Sequence, residues 1–166
     1  MLNITKKTFY ALAMVGVACS MAQAFFILSG MGEAALLGNI ALLVVGLSFC
    51  MLASVRGTEK RRKKQLVLCT VLLLFSSAQL TPLVNYLLLA LIWPYFAWIE
   101  QDGSDQLRRP FGAILAMEVV CLALRLAVGM AGVTALWQVS NVAWLLALAA
   151  RGWLLLECYR REERML

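Results

Sequence analysis

Residues 65–99 read QLVLCTVLLLFSSAQLTPLVNYLLLALIWPYFAWI and include no charged side chain. At 1.5 Å per residue, one helix of this length would measure about 52 Å, whereas the hydrocarbon core of a bilayer is roughly 30 Å thick. Within the stretch, Pro82 disfavours helical geometry at Thr81 and suits the first turn of a new helix. The stretch therefore predicts two membrane-spanning helices, over 65–80 and 82–99, joined by a tight turn.

Apolar runs on both sides of this stretch predict four more spans. They cover residues 9–28, 34–55, 111–130 and 133–156, and short glycine-containing turns separate the two members of each pair. The predicted fold class is all-α: a polytopic membrane helical bundle of six transmembrane helices, arranged as three antiparallel hairpins. Residues 1–166 form a single integral-membrane domain in this interpretation.

The composition excludes most other classes of protein. Hydrophobic residues make up 63% of the chain, charged residues make up 14%, and the mean hydropathy is +0.83. Soluble domains are nearer half apolar and a quarter charged. Disordered chains, collagen-like repeats and disulfide-rich secreted scaffolds need polar, Gly/Pro-rich or Cys-dense sequences. A multi-pass membrane protein is the class that fits.

Charge placement predicts the orientation of the chain. With six spans, both termini and the polar segments 56–64 and 100–109 lie on one side of the membrane and hold thirteen of the fifteen basic residues. We expect Arg151 to snorkel to that side, and Arg125 lies inside the fifth span. The positive-inside rule then makes both termini cytoplasmic, in a bacterial-type inner (cytoplasmic) membrane.

The most basic segment has an ordinary explanation in this topology. It includes Lys60, Arg61, Arg62, Lys63 and Lys64. Such a cluster acts as a topogenic signal and holds anionic lipid headgroups. We therefore expect the lipid bilayer, and no nucleic acid, as its partner.

The N-terminal region leaves one alternative open. Lys6 and Lys7, an apolar stretch and then Ala22-Gln-Ala24 resemble a signal peptide with its cleavage site. Because the apolar run continues to Leu28, we expect an uncleaved first helix. Cleavage would leave five helices with the same charge bias.

Intramembrane polar residues are the candidate functional residues, because hydrocarbon penalises them. Glu118 and Arg125 lie seven residues apart and so share one face of the fifth span. Counted from the 129–132 turn, Gln138 lies at the depth of Arg125, and Asn141 lies one turn deeper. These four residues predict either a structural ion-pair network or a cavity that holds an anionic or carboxylated solute. Trp144 walls such a cavity or fills the core.

A second pair of polar residues spans the first hairpin. Gln23 and Asn39 are equally distant from the turn, which predicts a hydrogen bond between the two helices. We expect this bond to be structural.

The sequence gives little support to a catalytic function. Histidine is absent, which excludes His-ligated haem, His-based zinc sites and Ser–His or Cys–His pairs. The five cysteines are widely spaced, and no phosphate-binding or nucleophile motif occurs. We predict no enzyme activity, no cofactor and no metal site.

Two functions remain. The first is a non-catalytic subunit or accessory scaffold of a membrane complex, with Ala11, Ala18 and Ala22 of the first span as a small-residue contact face for another subunit. The alternative is a small-solute transporter or substrate-binding membrane component that uses the intramembrane polar cluster around Arg125, open to the periplasm. The build is similar in size to substrate-binding components of energy-coupling-factor transporters, a similarity of architecture with no shared sequence motif.

Overall fold

The computed structural model describes residues 6–31, 35–55, 60–77, 82–101, 105–130 and 132–164. These residues are almost entirely helical and include no β-strand. Six α-helices and one short 3₁₀ turn, Thr134–Leu136, follow one another in this part of the chain. The helices are α1 (Lys6–Leu28), α2 (Ala35–Val55), α3 (Lys60–Ser77), α4 (Pro82–Gln101), α5 (Asp105–Gly129) and α6 (Trp137–Arg164).

The six helices form a closed ring. Each helix packs against the one before it and the one after it, and α6 returns to pack against α1. The all-α class is therefore confirmed. We call the end of the bundle that holds the α1–α2 and α5–α6 connections the turn end. The opposite end, where α1 begins and α6 finishes, is the terminal end.

By length and composition, four helices are apolar enough to cross a membrane: α1, α2, α5 and α6. This count concerns the described residues, and it supports a membrane protein with transmembrane helices. Many large apolar side chains face outward from the ring, among them Phe25, Leu36 and Leu91. Such a surface suits contact with lipid rather than with water.

Glycine ends α1 at the position that the sequence predicts for a turn. Gly30 has a φ of +70°, and the N–H groups of Gly30 and Met31 donate to the carbonyls of Ile27 and Phe26. This is the Schellman arrangement, which satisfies the last carbonyls of a helix. Gly132, between α5 and the 3₁₀ turn, also has a positive φ, of +68°.

Close packing of α1 on α2 depends on a residue outside the predicted alanine face. A Cβ on Gly16 would lie 2.7 Å from Cγ2 of Val45 and 3.0 Å from the carbonyl oxygen of Ala41. Ala18, in contrast, is exposed. Gly16 is therefore the small residue that lets these two helices approach closely.

The helices extend beyond the predicted spans at the terminal end. Lys60 and its basic neighbours begin α3, so the predicted loop 56–64 is partly helix. In the predicted polar segment 100–109 the described residues are helical, in α4 and α5, and α6 continues past the predicted span end at 156 to Arg164. The helices therefore continue past the predicted spans at this end, where some of their polar side chains reach partners on neighbouring helices.

One such set of partners joins three helices at the terminal end. The Tyr10 hydroxyl donates to Oε2 of Glu100 over 2.8 Å, and Nη2 of Arg161 lies 3.1 Å from the same oxygen. Nη1 of Arg161 also donates to the Glu100 carbonyl over 2.8 Å. The Glu100 side chain is fully buried. These contacts tie α1, α4 and α6 together.

Aromatic packing fills the interior between the middle of the bundle and the terminal end. The rings of Phe49 and Phe96 stack with centroids 4.2 Å apart, and the Trp93 ring packs edge-on against both. Leu154 and Leu155 of α6 are fully buried in the same core. The cavities described below lie between this packed core and the turn end.

Candidate functional site

A cavity of about 360 Å³ lies inside the ring, between α1, α4, α5 and α6. The α5 wall consists of Glu118 and of Cys121, Leu122 and Arg125, which follow Glu118 by three, four and seven residues. This spacing places all four on one helical face. The α6 wall repeats the pattern with Trp137, Asn141, Trp144 and Arg151. The rest of the lining comes from α4 and α1, with Tyr86, Leu89 and Ala90 on α4 and Gln23 and Ile27 on α1.

A buried ion pair forms the inner end of this cavity, near the middle of α5 and α6. Nε and Nη2 of Arg151 each lie 2.6 Å from Oε1 of Glu118. The two side chains are 7% and 4% exposed, so both charges are removed from solvent. The Arg151 guanidinium also lies over the Trp93 ring, 5.2 Å from its centroid. Two nitrogens on one oxygen make a charge-assisted contact that holds α5 to α6.

Arg125 lies nearer the turn end, about 10 Å along α5 from Glu118. Its Nη2 donates to Oδ1 of Asn141 over 3.1 Å. Its guanidinium is 5.3 to 5.5 Å from the ring centroids of Tyr86, Trp137 and Trp144. These cation–π contacts stabilise a half-buried charge without using its hydrogen bonds. A guanidinium has five N–H donors, of which one donates to Asn141, and the Cys121 thiol also lies beside this guanidinium.

The charges on the cavity wall do not cancel. Glu118 contributes one negative charge, while Arg125 and Arg151 contribute two positive ones. Since Glu118 is engaged by Arg151, the excess positive charge resides on Arg125. A charge in a cavity walled mostly by apolar groups acts through a low effective dielectric, which strengthens its attraction for an anion.

The structure brings three of the four predicted ligand residues together. Glu118, Arg125 and Asn141 line the cavity, but Gln138 is exposed and lies outside it. Gln138 directly follows Trp137, and a step of one residue rotates a side chain by about 100° around a helix. The structure therefore does not bring Gln138 together with the other three residues.

The prediction that Arg151 snorkels to the membrane surface was also wrong. The residue is 6% exposed and bonded to Glu118. Because α6 continues to Arg164, position 151 falls in the middle of the helix rather than near its end.

Gln23 and Asn39 line a second cavity, but no hydrogen bond joins them among the contacts of the described residues. The Gln23 amide packs instead against Gly38 of α2, which has no side chain to displace it. Asn39 is exposed. The predicted interhelical hydrogen bond was therefore wrong, although the two residues lie on facing helices.

Several residues of the site were missed by sequence reasoning. Tyr86 and Trp137, two of the rings around Arg125, were not singled out, and neither was Cys121. A signal was present: Cys121 lies three residues after Glu118 and four before Arg125, on the same helical face. Trp144 walls the cavity, which was one of its two predicted roles.

Within the residues that the structure describes, no cluster of three or more His, Cys, Asp or Glu side chains offers a metal site. The chain matches no known family model, no curated protein sequence and no solved structure.

Proposed function

We propose that this chain is a multi-pass protein of a bacterial-type inner membrane that binds a small anionic solute in the cavity beside Arg125. This is the transporter or substrate-binding alternative of the two functions that the sequence leaves open. The observation that supports it is the excess positive charge of a roomy, largely apolar cavity, concentrated on one guanidinium. Buried sites with a few convergent polar groups are typical of small-molecule binding.

The proposal includes six membrane crossings with both termini cytoplasmic. Packing supports it, because α3 and α4 lie in the ring between α2 and α5, alongside helices that are long and apolar enough to cross. Removing Arg151 from the surface leaves thirteen basic residues on the terminal side, so the positive-inside bias persists. The turn end, and with it Arg125, then faces the external side.

Reporter fusions test this topology. Cytoplasmic reporters fused at Gly57 and after Leu166 are expected to be active, because basic segments are retained in the cytoplasm. Periplasmic reporters fused at Gly30 and Gly132 are expected to be active as well. A C-terminus that activates the periplasmic reporter would contradict the six-span arrangement.

The accessory-subunit hypothesis stays a prediction. Ala18 is exposed on α1, which leaves a small-residue surface for a neighbouring helix. That hypothesis assigns no role to a cavity with a net positive charge. The solute hypothesis does, and we therefore prefer it.

Native Cys121 reports on access to the cavity. In a variant with Cys19, Cys50, Cys69 and Cys158 replaced by alanine, we expect Cys121 to react with methanethiosulfonate reagents added from outside. The anionic sulfonatoethyl reagent and the cationic trimethylammonioethyl reagent are both membrane-impermeant. The ratio of their rates is expected to shift toward the cationic reagent by about tenfold when Arg125 is changed to Gln.

The matched control is Arg108→Gln, the same change at an exposed position of α5 outside the cavity. It should leave the ratio of rates unchanged. Absence of reaction with both reagents in a folded protein would show a dry interior and contradict the proposal. An unchanged ratio in Arg125→Gln would show that this guanidinium does not set the charge preference.

A further inference from the structure

A second cavity, of about 320 Å³, adjoins the first. The two cavities share a wall, made by Gln23, Tyr86, Leu89, Trp144 and Arg151. The second cavity extends from that wall toward α2 and α3. The second cavity therefore lies next to any molecule that binds at Arg125 in the first cavity.

The chemistry of the second cavity differs from that of the first. Its polar wall residues are mainly neutral, the hydroxyl of Ser20 and the amides of Gln23, Asn39 and Asn85. The charged residue on its lining is Arg151, which is engaged by Glu118. Ser20 and Gln23 are half-buried on this wall and form no side-chain hydrogen bond with any described residue. Polar groups in apolar surroundings are costly without partners, so these groups call for water or a polar ligand.

Gln23 is held at the boundary between the two cavities. Its side-chain atoms Oε1 and Nε2 lie so close to Gly38 that a Cβ there would be 2.6 and 2.7 Å from them. With glycine at position 38, the Gln23 amide occupies this space; a larger residue there would require the Gln23 side chain to shift. A primary amide offers two donors and an acceptor in one plane, which matches the donor and acceptor of another amide.

We propose, building on the proposed function, that the solute is a monoanion that also bears a neutral amide, as in an N-acylated amino acid. Its carboxylate binds Arg125, which supplies the single excess charge. Its amide pairs with Gln23, and its acyl group lies against the apolar and aromatic wall near Trp144. Among the described residues of the wall, a second charge on the solute finds no counter-charge, because Glu118 and Arg151 neutralise each other.

Three matched probes test the carboxylate and the amide of the ligand separately. Hippurate has a carboxylate, an amide and an aromatic acyl group. 4-Phenylbutanoate has the same chain length and charge without the amide, and hippuramide has the amides without the charge. Their dissociation constants are measured by isothermal titration calorimetry with the protein in lipid nanodiscs.

The decisive variant is Gln23→Met, which keeps the length of the side chain and removes its hydrogen-bonding groups. We expect the preference for hippurate over 4-phenylbutanoate to fall by about tenfold, the size of one or two buried hydrogen bonds. The control is Gln138→Met, the same change at an exposed position outside both cavities, and it should retain the preference. Ser20→Ala is a second variant in case Gln23→Met does not fold, and it should weaken hippurate binding with less effect on 4-phenylbutanoate.

The outcomes distinguish this inference from the proposed function. If both carboxylates bind, Arg125→Gln weakens both, and neither Gln23→Met nor Ser20→Ala alters the preference, the amide subsite is refuted while the anion site stands. If hippuramide binds as well as hippurate in the unmodified protein, the anion site is refuted. If none of the probes binds, both proposals are overturned for this class of ligand.

Discussion

Replacing Glu118 with leucine is expected to lower the free energy of unfolding in mild detergent by about 3–5 kcal/mol. The change leaves the Arg151 guanidinium buried without the carboxylate that accepts from two of its nitrogens. An isolated charge in low dielectric is far more costly than a paired one. Chemical or thermal unfolding followed by circular dichroism measures the loss.

The double variant Glu118→Leu/Arg151→Leu identifies the partner. It is expected to recover most of the lost stability, because replacing a whole buried ion pair with apolar side chains is often neutral or stabilising. The matched comparison is Glu118→Leu/Arg125→Leu, which removes an arginine on the same helical face that does not contact Glu118. In this double variant, the stability losses of the two single changes should be nearly additive. If the losses from Glu118 and Arg151 were also additive, the ion pair would not contribute to stability.

Replacing Glu100 with leucine is expected to cost about 2–4 kcal/mol, the second largest effect. The fully buried carboxylate accepts from Tyr10 and Arg161, and so joins three helices at the terminal end. Its removal leaves two donors in a largely buried place with one acceptor fewer. The same unfolding measurements test this expectation.

The control for that prediction is the same substitution in a solvent-exposed ion pair. Glu163 bonds to Nζ of Lys7 over 2.9 Å at the same end of the bundle, but its side chain is 58% exposed. Exposed ion pairs contribute little to stability, so Glu163→Leu should leave the unfolding transition nearly unchanged. Equal losses of stability from Glu100→Leu and Glu163→Leu would show that burial does not make the Glu100 contacts more stabilising than an exposed ion pair.

The sequence predicted the helices well where hydropathy decides and poorly where charged contacts decide. The spans over 9–28 and 34–55 agree with α1 and α2 to within three residues at each end. The α6 helix, in contrast, continues eight residues beyond the predicted end at Leu156. Hydropathy describes a preference for hydrocarbon, whereas the contacts of Arg161 and Arg164 that accompany this extension depend on which helices lie beside α6.

The candidate site was likewise predictable from the sequence only in part. That Glu118 and Arg125 share a face follows from a separation of seven residues on a helix, and the sequence states it without any structure. That Glu118 pairs with Arg151 rather than with Arg125 was not predictable, because it depends on the rotation of α6 about its own axis. Arg151 was also predicted to reach the membrane surface, because the predicted helix ended soon after it, at Leu156.

The sequence by itself determined that this chain is an apolar, all-helical membrane protein, since hydropathy, glycine turns and charge bias are local properties of the chain. Tertiary structure alone decided that six helices close into a ring, that Gln138 faces away while Trp137 and Trp144 face Arg125, and that Arg151 neutralises Glu118. The physical reason is that helical periodicity specifies which residues share a face but not which neighbour that face meets. Packing of whole helices determines the neighbour, and among the described residues it leaves the Arg125 guanidinium in the cavity without a carboxylate partner.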